Sequence, residues 1–198
     1  MPEMPEVETV RRTLDPLMKG KTIQEMTVWY PKIIVGNSES VAQKLVGKKV
    51  LGVDRYGKYL LIRLSDNLTL VSHLRMEGKY RITSPDAPKE KHEHIQFIFT
   101  DGSAIRYDDV RKFGRMHLVE TGTERQTTGI SKLGPEPNTD EFNIEYFSKK
   151  LSKKKKNIKN TLLDQTIVCG LGNILCYFHG TCAPAPRLGQ KWQEFLHP

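Results

Sequence analysis

The chain has 198 residues, of which 37% are hydrophobic and 27% charged, enough for one ordinary domain or two small ones of a globular protein. Its 31 basic and 23 acidic residues leave a formal charge of +8 and a pI near 9.3, a balance that favours an anionic partner such as nucleic acid or an acidic membrane surface. No apolar run reaches transmembrane length, and residues 1–20 are charged throughout without a signal-peptide pattern. A spanning or secreted chain is therefore not expected, and in the cytosol a basic surface meets nucleic acid first.

The first element is a helix. Pro5 sits where a first helical turn tolerates proline, Val7, Val10, Leu14 and Leu17 recur at helical spacing, and Gly20 ends the segment. Strand-like runs follow at Thr22–Trp29, Lys49–Arg55, Tyr59–Leu64, Leu68–His73, Gly78–Ile82, His94–Phe99, Ala104–Tyr107 and Arg115–Val119. Turn signals at Ser65-Asp66-Asn67 and Asp101-Gly102 separate several of them, and Ser38–Leu45 reads as a short helix. Many short strands at close spacing predict an α+β fold, with an antiparallel β-sandwich or barrel beside the first helix.

Near residue 130 the character changes. Leu133-Gly134-Pro135-Glu136-Pro137-Asn138 reads as a turn-rich linker, and Glu141–Ser152 as a helix. A lysine run, Lys153–Lys156, precedes an apolar helical stretch at Ile158–Leu163 and the turn Gly170-Leu171-Gly172-Asn173. Such a run is commonly a solvated face, and such a turn exposes N–H groups that can hold a phosphate. Leu175–Pro198 carries Ala-Pro-Ala-Pro and no sustained period, which makes it a poor helix and a poor strand. Cys169, Cys176 and Cys182 form no CxxC pair, so neither a zinc ribbon nor a disulfide framework is indicated, although His179 stands close to two of them.

The amino terminus carries the chemistry. Methionine aminopeptidases remove Met1 before a small residue such as Pro2, which leaves a secondary amine at the start of the mature chain. An α-amino group has a pKa near ~8, well below that of lysine, so more of it is free to attack an electrophilic carbon. Glu3, one residue away, can shuttle a proton. By itself such a start also reads as an inert terminus. Taken singly, Met76 and Phe113 likewise read as core residues, Lys58 as a surface lysine on a strand, and His73 and His92 as satisfied histidines.

Several motifs in fixed order change that balance. They are Met1-Pro2-Glu3-Met4-Pro5-Glu6-Val7-Glu8-Thr9, Asp54–Leu61, His73-Leu74-Arg75-Met76-Glu77-Gly78, Lys91–His94, Asp109-Val110-Arg111-Lys112-Phe113-Gly114, Leu133–Pro137, and the stretch from Ile158-Lys159 to Gly172-Asn173-Ile174. From Met1 to about Ile174 the chain resembles the formamidopyrimidine-DNA glycosylase family, bacterial base-excision enzymes that remove oxidised purines. The resemblance implies a catalytic β-sandwich domain over 1–130 and a partial helix–two-turn–helix DNA-binding domain over 131–174, with a divergent tail at 175–198. It implies Pro2 as nucleophile, Glu3 in proton transfer at the opening sugar, and Lys58 as a catalytic contact to a phosphate beside the lesion. Met76, Arg111 and Phe113 would fill the gap left by the extruded base, and Glu77 lies where some members contact that base. His92, Arg111, Lys159 and Asn173 would hold DNA.

After Ile174 the pattern breaks. The family completes its second helix and ends in a CxxC…CxxC zinc finger. Here Leu175-Cys176-Tyr177-Phe178-His179-Gly180 follows instead, which points to a truncated or frameshifted product with no metal and no cofactor in this chain. The resulting expectation is a monomeric bifunctional glycosylase and abasic-site lyase of the bacterial cytoplasm, associated with the nucleoid. It would act on double-stranded DNA containing 8-oxoguanine, formamidopyrimidines or abasic sites, without membrane contact and with impaired activity. The alternative is a catalytically dead remnant that binds DNA non-specifically.

Overall fold

The computed structural model of the chain describes residues 2–152 and 157–178. It divides into two units, 1–131 and 132–198.

The first unit is built on eight strands: β1 (Ile23–Val28), β2 (Val50–Tyr56), β3 (Tyr59–Leu64), β4 (Leu68–His73), β5 (Lys79–Thr83), β6 (Glu93–Phe99), β7 (Ala104–Asp108) and β8 (Arg115–Glu120). They form two four-stranded sheets, ordered β1-β6-β7-β5 and β2-β3-β4-β8, and every strand pair is antiparallel. Leu60, Ile62, Leu64, Leu70, Ile95, Phe97, Phe99, Ile105 and Tyr107 are buried in one cluster. This is the α+β sandwich that the strand pattern predicts.

Helix α1 (Met4–Met18) joins that core through Val7, Leu14 and Met18. Burying each such side chain stabilises the unit by about 1.5–3 kcal/mol. Glu3 caps the helix, and its own N–H donates to Glu6 Oε2 at 2.7 Å, one arm of a capping box. Gly20, at φ +83°, supplies the left-handed residue that ends the segment. Asp15 Oδ1 accepts the Val53 N–H at 2.7 Å, and Glu8 accepts from Arg55 at 3.0 Å. These two contacts set α1 antiparallel to β2, so the amino-terminal turn points towards the β2–β3 turn. Helix α2 (Ser38–Leu45) falls at its expected limits, capped by Asn37, whose side chain accepts the Ser40 N–H. A short helix α3 (Glu124–Thr127) and 3-10 turns at Pro31–Ile33 and Gly129–Lys132 carry too little periodicity to be read in sequence.

The second unit contains α4 (Ile144–Leu151), α5 (Ile158–Leu162) and α6 (Asn173–Phe178). Helix α4 starts three residues later than its composition suggests, because the Asn143 side chain caps it by accepting the Tyr146 N–H at 2.9 Å. Leu133–Asn138 is not a free linker. Gly134 donates to the Gln165 carbonyl at 2.8 Å and Cys169 donates to the Pro135 carbonyl at 3.0 Å. A Cβ on Gly134 would lie 2.4 Å from the Ile167 carbonyl oxygen, so only glycine permits this approach. Helix α6 runs through Phe178, so residues 175–178 of the stretch that reads as a poor helix are helical, and 179–198 lie outside the described residues. The lysine run at 153–156, His179 and Cys182 lie outside the described residues.

Candidate active site

The site is assembled by connections at one end of the sandwich. Strand register shows which ones meet. Tyr59 pairs with His73, and His73 with Arg115. Lys79 and Glu93 both pair with Asp108. The β2–β3 turn, the β4–β5 connection, the start of β6 and the β7–β8 connection therefore share this end. The amino terminus of α1 points the same way. The β4–β5 and β7–β8 connections both cross from one sheet to the other.

Lys58 occupies the two-residue β2–β3 turn with Gly57, not a strand as its apolar neighbours suggest, and it is only 6% exposed. Gly57 takes the positive φ that such a tight hairpin requires. Beside Lys58 lies His73. Its ring packs edge-on to Tyr59 at 4.3 Å, and its Nδ1 accepts the Arg75 N–H at 2.9 Å. Burial, with the cationic Arg75 and Lys58 nearby, pushes the His73 pKa down to about 3. His73 is thus a neutral imidazole whose acceptor nitrogen fixes the next loop. Burial also raises the Tyr59 hydroxyl.

In the β4–β5 connection, Arg75 adopts φ +57°, Gly78 donates to the Leu74 carbonyl at 3.0 Å, and Met76 is left 41% exposed. Glu77 is exposed beside it. In the β7–β8 connection, Arg111 and Phe113 are both exposed, Phe113 by 50%. The Arg111 guanidinium lies 5.3 Å from the Phe113 ring centroid. Two large apolar side chains held in solvent at neighbouring loops are not core residues. They are suited to contact something that arrives.

His92 precedes β6, half-buried, and its carbonyl accepts the Asp109 N–H at 3.0 Å. Pro2 is half-buried and Glu3 5% exposed at the head of α1. Glu8, one turn on, is held at about 2 by hydrogen bonds chiefly from Arg11, with Arg12 and Arg55 adding to it. The fold thus brings Pro2, Glu3, Lys58, Met76, Glu77, His92, Arg111 and Phe113 to one end of the first unit.

Lys159 and Asn173 belong to the second unit. Lys159 is half-buried on α5, and Asn173 is exposed at the first residue of α6. Between them the Gln165 side chain organises the turns. Its Oε1 accepts the Gly170 N–H at 2.9 Å and its Nε2 donates to the Leu171 carbonyl at 2.9 Å. Sequence reasoning gave roles to neither Gln165, His73, Tyr107 nor Asp109. A Gly five residues after an Asp, with Arg two after it, is the only available hint of the Asp109 turn. Among the described residues no cluster of three or more His, Cys, Asp or Glu side chains suits a metal ion. A zinc ion of the family's finger finds no ligand set there. No helix among them is long and apolar enough to cross a membrane.

Comparison with known proteins assigns the lineage. Residues 1–116 match the formamidopyrimidine-DNA glycosylase N-terminal domain, and residues 133–177 match the formamidopyrimidine-DNA glycosylase H2TH domain. A β-sandwich domain followed by a helix–two-turn–helix domain defines a class of DNA glycosylases. Within it, this chain belongs to the formamidopyrimidine-DNA glycosylase family. It is 74% identical over 198 residues to the formamidopyrimidine-DNA glycosylase of Lactobacillus johnsonii, covering all of this chain and 68% of the relative. It is 74% identical over 174 residues to that of Lactobacillus gasseri, covering 88% of this chain and 63% of the relative. The chain thus spans about two thirds of the length of these curated relatives. A crystal structure of the Lactococcus lactis enzyme in complex with abasic-site DNA is 40% identical, with a TM-score of 0.87 over 96% of this chain and 72% of that one.

Proposed function

We propose that the chain acts on double-stranded DNA in base-excision repair, as a glycosylase and abasic-site lyase that uses Pro2 as its nucleophile. The observation that carries this reading is the meeting of Pro2, Glu3 and Lys58 with three exposed loop side chains, Met76, Arg111 and Phe113, at one end of the sandwich. The substrates are duplexes with 8-oxoguanine, formamidopyrimidines or abasic sites, in keeping with the family's name and with the abasic DNA bound by the Lactococcus lactis relative.

A base stacked in a duplex is out of reach, so it must be extruded at a cost of a few kcal/mol. Met76 and Phe113 are apolar wedges and Arg111 is a planar cation, which suits them to refill the stack. Glu77, exposed beside Met76, contacts the extruded base. The free amine of Pro2 attacks the anomeric carbon and its electron pair forms the new C–N bond. The glycosidic bond breaks and the base leaves with a proton. Glu3 donates to the ring oxygen as the sugar opens to an iminium, which then supports elimination of the phosphates on both sides. Water hydrolyses the iminium and frees Pro2. Lys58 neutralises a phosphate beside the lesion, His92, Lys159 and Asn173 hold further phosphates, and Arg111 contacts the DNA from within the stack.

The 198 residues cover about two thirds of the relatives. Phosphate contacts set binding and its salt dependence, and extrusion also needs the DNA deformed and held. A polypeptide of these 198 residues alone, without the remaining third of the relatives' length, would cleave more slowly. Single-turnover cleavage of an 8-oxoguanine duplex, at saturating protein and low salt, tests this reading. Slow but lesion-dependent strand cleavage is expected. Salt-sensitive binding with no cleavage would leave only a DNA-binding remnant. A rate within about tenfold of the intact Lactobacillus johnsonii relative would remove the case for impairment.

A further inference from the structure

We infer that Asp109 is a positioning residue that sets both wedge loops at once, a role that rests on the reading of Met76, Arg111 and Phe113 as wedges. Asp109 is 1% exposed and touches the β7–β8 connection with its carbonyl and both carboxylate oxygens. Its Oδ1 accepts the Arg111 N–H at 3.0 Å and its Oδ2 accepts the Gly114 N–H at 2.7 Å. Its carbonyl accepts the Lys112 N–H at 3.2 Å and bonds His94 Nε2 at 2.8 Å. Its N–H donates to the His92 carbonyl. Arg111 and Gly114, which bracket Phe113, thus hang from one buried carboxylate. His94 reaches it because a β-bulge between Glu93 and Ile95 inserts one residue into β6.

The second loop is tied in by Tyr107. Its hydroxyl lies 3.5 Å from Asp109 Oδ2, between two glycines. A Cβ on Gly114 would lie 1.8 Å from that oxygen, and a Cβ on Gly78 would lie 2.2 Å from it. Gly78 closes the loop that bears Met76, and Gly114 closes the loop that bears Phe113. One phenol therefore spaces the two loops, and Tyr80 holds its ring at 5.3 Å while donating to Ser72 Oγ at 2.8 Å. Each loop also contains a non-glycine residue in the left-handed region, Arg75 and Lys112, a conformation that persists only where the surroundings enforce it. His73 fixes the Arg75 N–H, and Asp109 fixes that of Lys112. Wedge side chains that must enter a gap of one base cannot tolerate displacements of ~1 Å, which can cost on the order of 100-fold in rate.

The test uses the full chain and Asp109→Asn, which keeps the shape but puts an amide donor against the Arg111 or Gly114 N–H. The readout is fluorescence of a 2-aminopurine placed opposite a stable abasic analogue in duplex DNA, which rises when wedge side chains enter the stack. Wild type is expected to give the rise, and Asp109→Asn to lose most of it while its salt-dependent affinity changes by less than about threefold. Borohydride trapping on single-stranded abasic DNA, which needs no extrusion, should stay within about twofold of wild type, whereas 8-oxoguanine duplex cleavage falls by ~100-fold. An unchanged fluorescence rise, or equal loss of trapping and duplex cleavage, overturns the inference, as does a wild type that traps but gives no rise. Wild-type failure to trap would instead strike the nucleophile assignment. Should Asp109→Asn not fold, Tyr107→Phe takes its place, and a folded Tyr107→Phe variant with a full fluorescence rise is equally contrary.

Discussion

The Tyr107 hydroxyl occupies the space that a Gly114 side chain would need, 1.8 Å from the position of its Cβ. Burial pushes that hydroxyl's pKa upward, with Tyr80 and Asp109 adding to the effect, so it stays a neutral donor. The relationship gives Gly114 a steric reason to be glycine that its backbone angles do not.

Gly114→Ala should therefore destabilise the first unit by about 1–3 kcal/mol, the usual cost of overpacking. Chemical denaturation measures it. Adding Tyr107→Phe to the same chain removes the clashing oxygen and should restore part of the loss. A Gly114→Ala chain as stable as wild type would mean that the phenol can move aside.

The structure places Lys58 buried on a turn, where the residue taken by itself reads as a surface lysine on a strand. Truncation to alanine would then remove packed methylenes as well as charge. Lys58→Met retains most of the volume, and should change stability by less than about 1.5 kcal/mol. Lesion cleavage should nevertheless fall by at least about tenfold, the loss of one charge-assisted phosphate contact. Thermal unfolding and single-turnover cleavage on the same sample check this, and a proportionate fall in both would make Lys58 structural.

His73 gives the fold a pH dependence. Its pKa is lowered from 6.5 to about 3, by burial first and then by Arg75 and Lys58. The unfolded chain therefore binds a proton near pH 6.5 that the folded chain refuses, so stability falls as pH drops through that value towards 3. Between pH 6.5 and 5 the loss from this residue is up to about 2 kcal/mol. Glu8, held at about 2 against an ordinary 4.5, adds a loss only below its unfolded value. Urea unfolding of wild type and His73→Gln at pH 7 and pH 5 separates the two. The variant should lose less stability over that interval, and equal losses would contradict a buried neutral imidazole.

The polypeptide is also expected to bind no stoichiometric zinc, since Cys169, Cys176 and Cys182 lack the spacing of a tetrahedral four-ligand site. Elemental analysis showing about one zinc per chain would contradict this.

Strands were legible as short apolar runs between turn signals, and β3 and β4 fall at the expected residues although burial on both faces leaves them almost continuously buried. Boundaries failed where a side chain decided them, as at Asn143, or where glycine closed a turn, as at Gly78. The wedge and nucleophile candidates were legible only through motif order, because exposure cannot be seen in a lone Met76 or Phe113. Asp109 and His73 were silent for a different reason. Both act on backbone N–H groups, and sequence does not show which amide a buried acceptor will face.

The proposed chemistry turns on the Pro2 nitrogen. Borohydride reduction of the chain with abasic-site DNA, followed by mass spectrometry of the adduct peptide, tests it most directly. The mature chain is expected to begin at Pro2, the sugar remnant to be attached at its nitrogen, and Pro2→Gly to abolish most of the trapping. An adduct on a lysine such as Lys58, or full trapping by the variant, would contradict it.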